Sequence, residues 1–83
     1  RFYYNGIYFK QDIKLAIHYF SLAADLGDEV SQYFLGCIYS NGKYVKIDIK
    51  KSIHFFTLAA NQNHVIAQYN LGLIYLRHKM AII

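Results

Sequence analysis

The side chains that could perform chemistry in this 83-residue chain are four histidines, one cysteine and five carboxylates. His18 and His54 stand 36 residues apart in two similar segments. A shared zinc ion would need both ring nitrogens about 2.0–2.1 Å from one metal, whereas neighbouring helices lie roughly 8–10 Å apart. Because no third ligand falls in phase with this pair, we expect a helix surface here, with no metal and no cofactor.

Cys37 and the carboxylates also lack partners for catalysis. A reactive thiol needs a base or an electropositive pocket, and the residue one period after Cys37 is Leu73. We therefore interpret this position as an apolar packing or groove position. Asp12 and Asp48 are one period apart and suit helix caps rather than an acid–base pair. With no Gly-rich phosphate loop either, we expect a protein that is not an enzyme.

An internal repeat organises the chain. Shifting the sequence by 36 residues aligns 1–47 with 37–83, and 22 of these 47 pairs are identical. Such self-similarity is the signature of stacked repeat units, so we expect one domain, 1–83, that is a piece of a longer array. Its predicted parts are 1–11 (the end of a truncated repeat), 12–47 (helix B, helix A and a loop) and 48–83 (helix B and helix A).

Helix B of each unit is predicted from apolar residues at helical spacing. It begins after an aspartate, Asp12 or Asp48, whose carboxylate can accept from free backbone N–H groups as an N-cap. It ends before Gly27 in one copy and Asn63 in the next, where a left-handed residue is needed.

Helix A is predicted over 28–40 and again over 64–79, with Asp28 as a further N-cap. An Asn-Gly turn follows this helix type at Asn5-Gly6 and at Asn41-Gly42. No strand pattern competes, so the fold class is all-α.

Two glycines inside helix A predict a close helix crossing. A mid-helix glycine costs about 1 kcal/mol relative to alanine, and both Gly36 and Gly72 stand at the same repeat position. A Cβ at such a crossing would block the approach of the neighbouring helix. Four aromatic residues are expected in the core: Phe20, Tyr39, Phe56 and Tyr75.

These residues resemble the Sel1-like repeat, a relative of the tetratricopeptide repeat. The resemblance covers nearly the whole chain in two in-phase copies, with departures at Leu15, Ser52 and Asn63. The helix A matches are Leu35, Gly36, Tyr39 and Gly42, then Ala67, Leu71, Gly72 and Tyr75. The helix B matches are Asp12, Ala16, Tyr19, Phe20, Ala23, Ala24 and Gly27, then Asp48, Lys51, Phe55, Phe56, Ala59 and Ala60.

The resemblance implies a right-handed α–α superhelix of stacked helical hairpins, whose A helices line a concave surface. It also implies a non-enzymatic scaffold or adaptor that binds a partner protein or peptide on that surface. Aromatic anchors and an arginine would serve such binding. The expected partner-binding residues are Val30, Tyr33, Cys37, Ser40, Asn41, Ile66, Tyr69, Leu73, Leu76 and Arg77.

An alternative is an RNA-binding helical-repeat array of the pentatricopeptide type, in which each repeat reads one base. The 36-residue period, the long loop with its Asn-Gly turn, and Leu-Gly within helix A argue against that class. The net charge of +4 favours an acidic partner without requiring nucleic acid.

Composition limits the setting of the chain. The 55% hydrophobic content excludes disorder, and polar residues 61–64 interrupt the longest uncharged run, so no membrane span is expected. A single cysteine, no Asn-x-Ser/Thr acceptor and no visible signal peptide are more typical of a reducing compartment such as the cytoplasm. Both chain ends lack polar capping surfaces, so we expect self-association through them.

Overall fold

The chain folds into α-helices alone over the residues that its computed structural model describes, which are 6–82 for the backbone and 11–79 for the side chains. In that range four helices follow one another: α1 (Gly6–Asp25), α2 (Glu29–Asn41), α3 (Ile49–Ala60) and α4 (Val65–Ile82). The all-α prediction is confirmed for these residues. Helices α2 and α4 are the two predicted A helices, and α3 is a B helix.

Aspartate side chains begin two of the helices, as predicted. Oδ2 of Asp28 accepts hydrogen bonds from the backbone N–H and the hydroxyl of Ser31, at 2.8 Å and 2.7 Å. Oδ1 of Asp48 accepts from the backbone N–H of Lys51 at 3.1 Å. Each carboxylate satisfies a backbone donor that has no partner within its helix.

Left-handed residues close the helix-to-helix turns where the sequence indicated them. Gly27 has φ +95° and Asn63 has φ +67°. Asparagine tolerates this conformation better than most side chains do, so the second copy of the turn forms without a glycine. The chain can therefore reverse direction at the same repeat position in both units.

The predicted helix start at Asp12 is wrong. Helix α1 begins at Gly6 and continues through Asp12, so this aspartate does not cap it, and the Asn5-Gly6 turn is not formed at Gly6 (Asn5 lies outside the described residues). In the second copy the Ile47 side chain packs closely against the turn at Gly42. A Cβ on Gly42 would stand 2.9 Å from the Cγ1 atom of Ile47. The equivalent of Ile47 is Gln11, a polar helix former that supplies no such apolar contact.

The central packing contact joins α2 and α3. The Phe56 side chain is 2% exposed and lies against Gly36, where a Cβ would stand 2.5 Å from its Cδ1 atom. One turn earlier on α3, the buried hydroxyl of Ser52 donates to the carbonyl of Gly36 at 2.8 Å. The predicted close crossing at Gly36 is therefore confirmed. Ser52 stands where the repeat pattern has alanine, and its hydroxyl adds a hydrogen bond that holds the crossing.

The same crossing is absent at Gly72, which corrects the prediction for that residue. No atom lies within 4 Å of a Cβ built on Gly72, because no described helix packs on that side of α4. For the same reason Tyr75 is 57% exposed rather than in the core. Its counterpart Tyr39 is partly covered by α3, where Phe55 stacks on it with ring centroids 6.1 Å apart.

The remaining core is small and centres on α3. Phe56 packs with Ala59 and Ala67, both 0% exposed, which let α3 and α4 approach closely. Phe20 is half-buried and contacts Phe34 across the α1–α2 boundary, with centroids 5.5 Å apart. Of the four expected core aromatics, Phe56 alone is fully buried.

Glutamine side chains fix the helices against one another at repeat-equivalent positions. Nε2 of Gln32 donates to the carbonyl of Ala24, and Nε2 of Gln68 donates to that of Ala60, both at 3.1 Å. Gln62 joins the two units by donating to Oε1 of Gln32 at 2.9 Å and to the carbonyl of Gly27 at 2.7 Å. The bonds from Gln32 and Gln68 satisfy carbonyls at the ends of the B helices.

Alanine substitution should have opposite effects on stability at the two repeat-equivalent glycines. Gly36→Ala places a methyl group against the buried Phe56 ring, and we expect a loss of about 1–3 kcal/mol in the free energy of unfolding. Gly72→Ala meets open space and removes a helix-interior glycine, so we expect a gain of up to about 1 kcal/mol. Urea unfolding followed by circular dichroism measures both. Equal effects at the two sites would contradict the asymmetry.

The Asp28 cap should make stability fall in acid. The hydrogen bonds from the Ser31 hydroxyl and then from its backbone N–H hold the pKa of Asp28 below its ordinary value of 3.8. A lowered native pKa means that the carboxylate stabilises the fold above its unfolded pKa and loses this effect as the pH drops through the native pKa. Asp28→Asn removes the titration and keeps a capping oxygen.

The measurement is the melting temperature of both proteins between pH about 6 and about 3. At the upper end of this range we expect wild type to melt at a higher temperature than Asp28→Asn, and we expect this difference to shrink as the pH falls toward about 3. Asp25→Asn, a change in the exposed last residue of α1, is the control. An advantage of wild type over Asp28→Asn that is constant across this range would contradict the role of the carboxylate.

Candidate functional site

A concavity lies between α2 and α4, with α3 beneath it. It has a volume of about 580 Å³, within the range of about 300–1,000 Å³ that is typical of ligand sites. We call it the α2–α4 groove. Its lining residues are Cys37, Ser40, Asn41, Ile49, Phe56, Asn70, Leu73, Ile74, Arg77 and His78.

Helical spacing explains the α4 wall of this groove. Residues 70, 73, 74, 77 and 78 follow one another by three, one, three and one positions, which places them on one face of a helix. Asn70, Arg77 and His78 give this face polar groups, and Leu73 with Ile74 gives it an aliphatic centre. The wall therefore combines an apolar contact surface with a cationic end.

A second pocket of about 390 Å³ lies between α1 and α2, and we call it the α1–α2 pocket. Cys37 and Asn41 line both concavities, so the two are adjacent along α2. Its full lining is Ile13, Ala16, Ile17, Phe20, Tyr33, Phe34, Cys37, Ile38, Asn41 and Tyr44.

The two concavities are the same feature in successive units. Six of the ten residues lining the α1–α2 pocket have their counterparts 36 positions later in the α2–α4 groove. The pairs are Ile13 with Ile49, Phe20 with Phe56, Phe34 with Asn70, Cys37 with Leu73, Ile38 with Ile74, and Asn41 with Arg77.

The pairs also show how the concavities differ in chemistry. Phe34 in the first is replaced by Asn70 in the second, and Asn41 is replaced by Arg77. No carboxylate lines either concavity. The nearest acidic residue in sequence, Asp48, already accepts from the backbone of Lys51 as a helix cap.

Tyr33 joins the two units and does not line the α2–α4 groove. Its ring stacks on His64 with centroids 4.7 Å apart and contacts Phe56 at 5.9 Å. The Cys37 side-chain hydrogen bond, then burial, raises the pKa of the Tyr33 hydroxyl, and a hydrogen bond with Asn70 acts in the opposite direction. Tyr33 is therefore largely occupied with packing between α2, α3 and α4.

The expected partner-binding residues divide into two groups. Cys37, Ser40, Asn41, Leu73 and Arg77 line the α2–α4 groove, and Tyr33 lines the α1–α2 pocket. The other four line neither and are exposed on the outer parts of the helices: Val30, Ile66, Tyr69 and Leu76.

Several groove residues were not anticipated from the sequence. Asn70 stands three positions before Leu73, Ile74 stands three before Arg77, and His78 stands four after Ile74, so helical spacing alone could have found them. Ile49 and Phe56 belong to a B helix, and their access to the groove depends on how α3 crosses beneath α2 and α4. No sequence signal gives that crossing.

The histidines outside the groove do not assemble a metal site. His18 and His54 are exposed, and each packs edge-on against the next ring along its helix, Tyr19 or Phe55, at 5.2 Å and 5.1 Å. Among the side chains that the structure describes, no three His, Cys, Asp or Glu residues come together as metal ligands.

His64 stands where the preceding unit has Asp28, and it serves as the acceptor at the start of α4. Its Nδ1 accepts from the backbone N–H of Ala67 at 3.1 Å, the same three-residue offset that Asp28 has to Ser31. Only an unprotonated ring nitrogen can accept in this way. One residue thus starts α4 and stacks on Tyr33.

The repeat family follows from a match along nearly the entire chain. The family model described as Sel1 repeat matches residues 1–28, 30–64 and 65–77. The chain belongs to the Sel1 repeat family. Comparison with curated proteins and with solved structures gave no match.

The Sel1 repeat assignment agrees with the helices. The second matched unit, 30–64, contains α3 and all of α2 except Glu29, which together form the hairpin held by Phe56 and Gly36. Sel1 repeats form helical-hairpin solenoids and are generally protein–protein interaction modules. No helix of the described residues is both long enough and apolar enough to cross a membrane.

Substitutions at His64 should separate its capping role from its stacking role. His64→Phe keeps a ring for Tyr33 but removes the acceptor, and we expect a loss of about 1 kcal/mol, the usual cost of losing an N-cap. His64→Asn keeps an acceptor without the ring and should lose less. Urea unfolding at neutral pH gives the order, and the opposite order would mean that stacking dominates.

Proposed function

We propose that this Sel1 repeat domain is a non-catalytic scaffold that binds a partner protein through a peptide segment in the α2–α4 groove. The observation that carries the proposal is the composition of that groove. Leu73, Ile74 and Cys37 form an apolar centre, and polar groups surround it. A buried apolar contact with a polar rim is the usual anatomy of a protein-binding site.

The absence of catalysis in this proposal rests on Cys37, the one thiol in the groove. Its hydrogen-bonding partner is the Tyr33 hydroxyl, whose pKa is raised. A raised pKa keeps the Tyr33 phenol protonated at neutral pH, and a protonated phenol cannot remove the thiol proton, so this pair does not activate Cys37 for attack.

Selection from a random-peptide library displayed on phage tests the proposal without knowledge of the partner. Peptides enriched on wild type are synthesised, and their affinities are measured by fluorescence anisotropy. Leu73→Lys places a charge in the apolar centre of the groove, and we expect it to weaken binding at least about tenfold.

Leu76→Lys is the matched control, because Leu76 is exposed on the same helix and lines neither concavity. We expect it to leave the affinity nearly unchanged. Circular dichroism checks that each variant stays helical, and Leu73→Gln replaces Leu73→Lys if the charge prevents folding. If no peptide is enriched, or if enriched peptides bind Leu73→Lys as tightly as wild type, this function is wrong.

The RNA-binding alternative has less support in the groove. Single-stranded nucleic acid is held by aromatic platforms and a track of cations. Phe56, the one Phe or Tyr that lines the groove, is 2% exposed and presents no free face. A groove centred on Leu73 and Ile74 suits an aliphatic or aromatic side chain of a peptide better than a base.

A further inference from the structure

The charge of the α2–α4 groove deepens the proposed function, on which the inference here rests. Arg77 and His78 stand at one end of the groove, and no carboxylate lines it. From residue 30 onward the chain has six Lys and Arg residues and one acidic residue, Asp48. One carboxylate against six cationic side chains leaves this part of the chain with a net positive charge.

Helix dipoles do not change the sign of this end of the groove. Asn41 is the last residue of α2 and Ile49 is the first residue of α3, and both line the groove. The negative end of one helix and the positive end of the other therefore meet there, with opposite effects. The guanidinium of Arg77 therefore supplies the permanent charge at this end of the groove.

The repeat pairing gives the concave surface a direction. In the α1–α2 pocket, the residues Phe34 and Asn41 stand where the α2–α4 groove has Asn70 and Arg77. The first unit thus has an apolar ring and an uncharged amide at these positions, and the next has an amide and a cation. A segment that lies along both would contact apolar surface toward α1 and positive charge toward α4.

We propose that the occupant of the α2–α4 groove is an acidic peptide segment. An aliphatic or aromatic side chain of the segment contacts Leu73, Ile74 and Cys37, and a neighbouring Asp or Glu pairs with Arg77. Arginine suits this pairing because its planar guanidinium can donate two hydrogen bonds to one carboxylate.

The charge of the enriched peptides is the first test. Peptides that bind wild type and lose binding in Leu73→Lys should contain Asp or Glu beside an aliphatic or aromatic residue, in excess over the starting library. Groove-binding peptides without that excess would overturn this inference and leave the proposed function standing. Absence of any Leu73-sensitive peptide would overturn both.

A charge exchange provides the second test, with one selected acidic peptide and a version in which its acidic residue is lysine. Arg77→Glu should weaken the acidic peptide about five- to tenfold, the sum of a lost pair and a new repulsion. The lysine peptide should bind Arg77→Glu more tightly than it binds wild type. Raising the salt concentration should reduce both effects.

Lys79→Glu is the matched control, because it makes the same charge change two residues along α4 at an exposed position that lines neither concavity. We expect an effect below about twofold for the acidic peptide. Equal effects of Arg77→Glu and Lys79→Glu on the affinity would mean that the peptide is attracted by the net charge of α4 alone. That result would overturn the specific pairing with Arg77.

A single-stranded oligouridylate tests whether the groove binds RNA, another anionic polymer, instead of an acidic peptide. We expect it to bind weakly and not to displace the acidic peptide. The assignment to a peptide would be overturned if the oligouridylate displaced the labelled peptide at a lower concentration than the unlabelled peptide does. Its binding would then also fall steeply as the salt concentration rises.

Discussion

The contact between the Phe56 ring and the backbone of Gly36 is the constraint on which this small fold depends. The ring fills the space that a Cβ would take, and the Ser52 hydroxyl donates to the Gly36 carbonyl from the preceding turn. Together these contacts set how closely α2 and α3 approach. Because Phe56 also packs on Ala59 and Ala67, the same ring fixes α4 against α3 and forms the base of the groove.

The second organising element is a set of polar bonds that recurs with the repeat. Gln32 and Gln68 each donate to the end of the preceding B helix, and Gln62 bridges from one unit to the other. A domain of this size has little apolar interior, so the hydrogen bonds at the helix ends contribute more to fixing the helices against one another. The α2–α4 groove is built on this frame.

Repetition of sequence does not produce repetition of environment. Asp28 and His64 both begin an A helix, but the histidine ring also stacks on Tyr33. Asn41 and Arg77 occupy one repeat position and give their concavities different charge. The common backbone leaves such positions free to differ, and the binding preference that we infer resides in these differences rather than in the shared motif.

The sequence by itself determined the helical class, the period of 36 residues, the caps at Asp28 and Asp48 and the turns at Gly27 and Asn63. These features depend on residues near one another along the chain, through helix spacing and local hydrogen bonds. Of the ten residues expected from the sequence to bind a partner, five line the α2–α4 groove, and their binding role stays a prediction. The start of α1, the exposure of Tyr75 and the open face at Gly72 were decided only by the tertiary structure. Each depends on whether a distant side chain or helix covers the position: Ile47 covers the loop that Gln11 cannot, and α3 covers Gly36 while no described helix covers Gly72. The entry of Ile49 and Phe56 into the groove has the same cause, since the crossing of α3 beneath two other helices is a property of packing and not of any one segment.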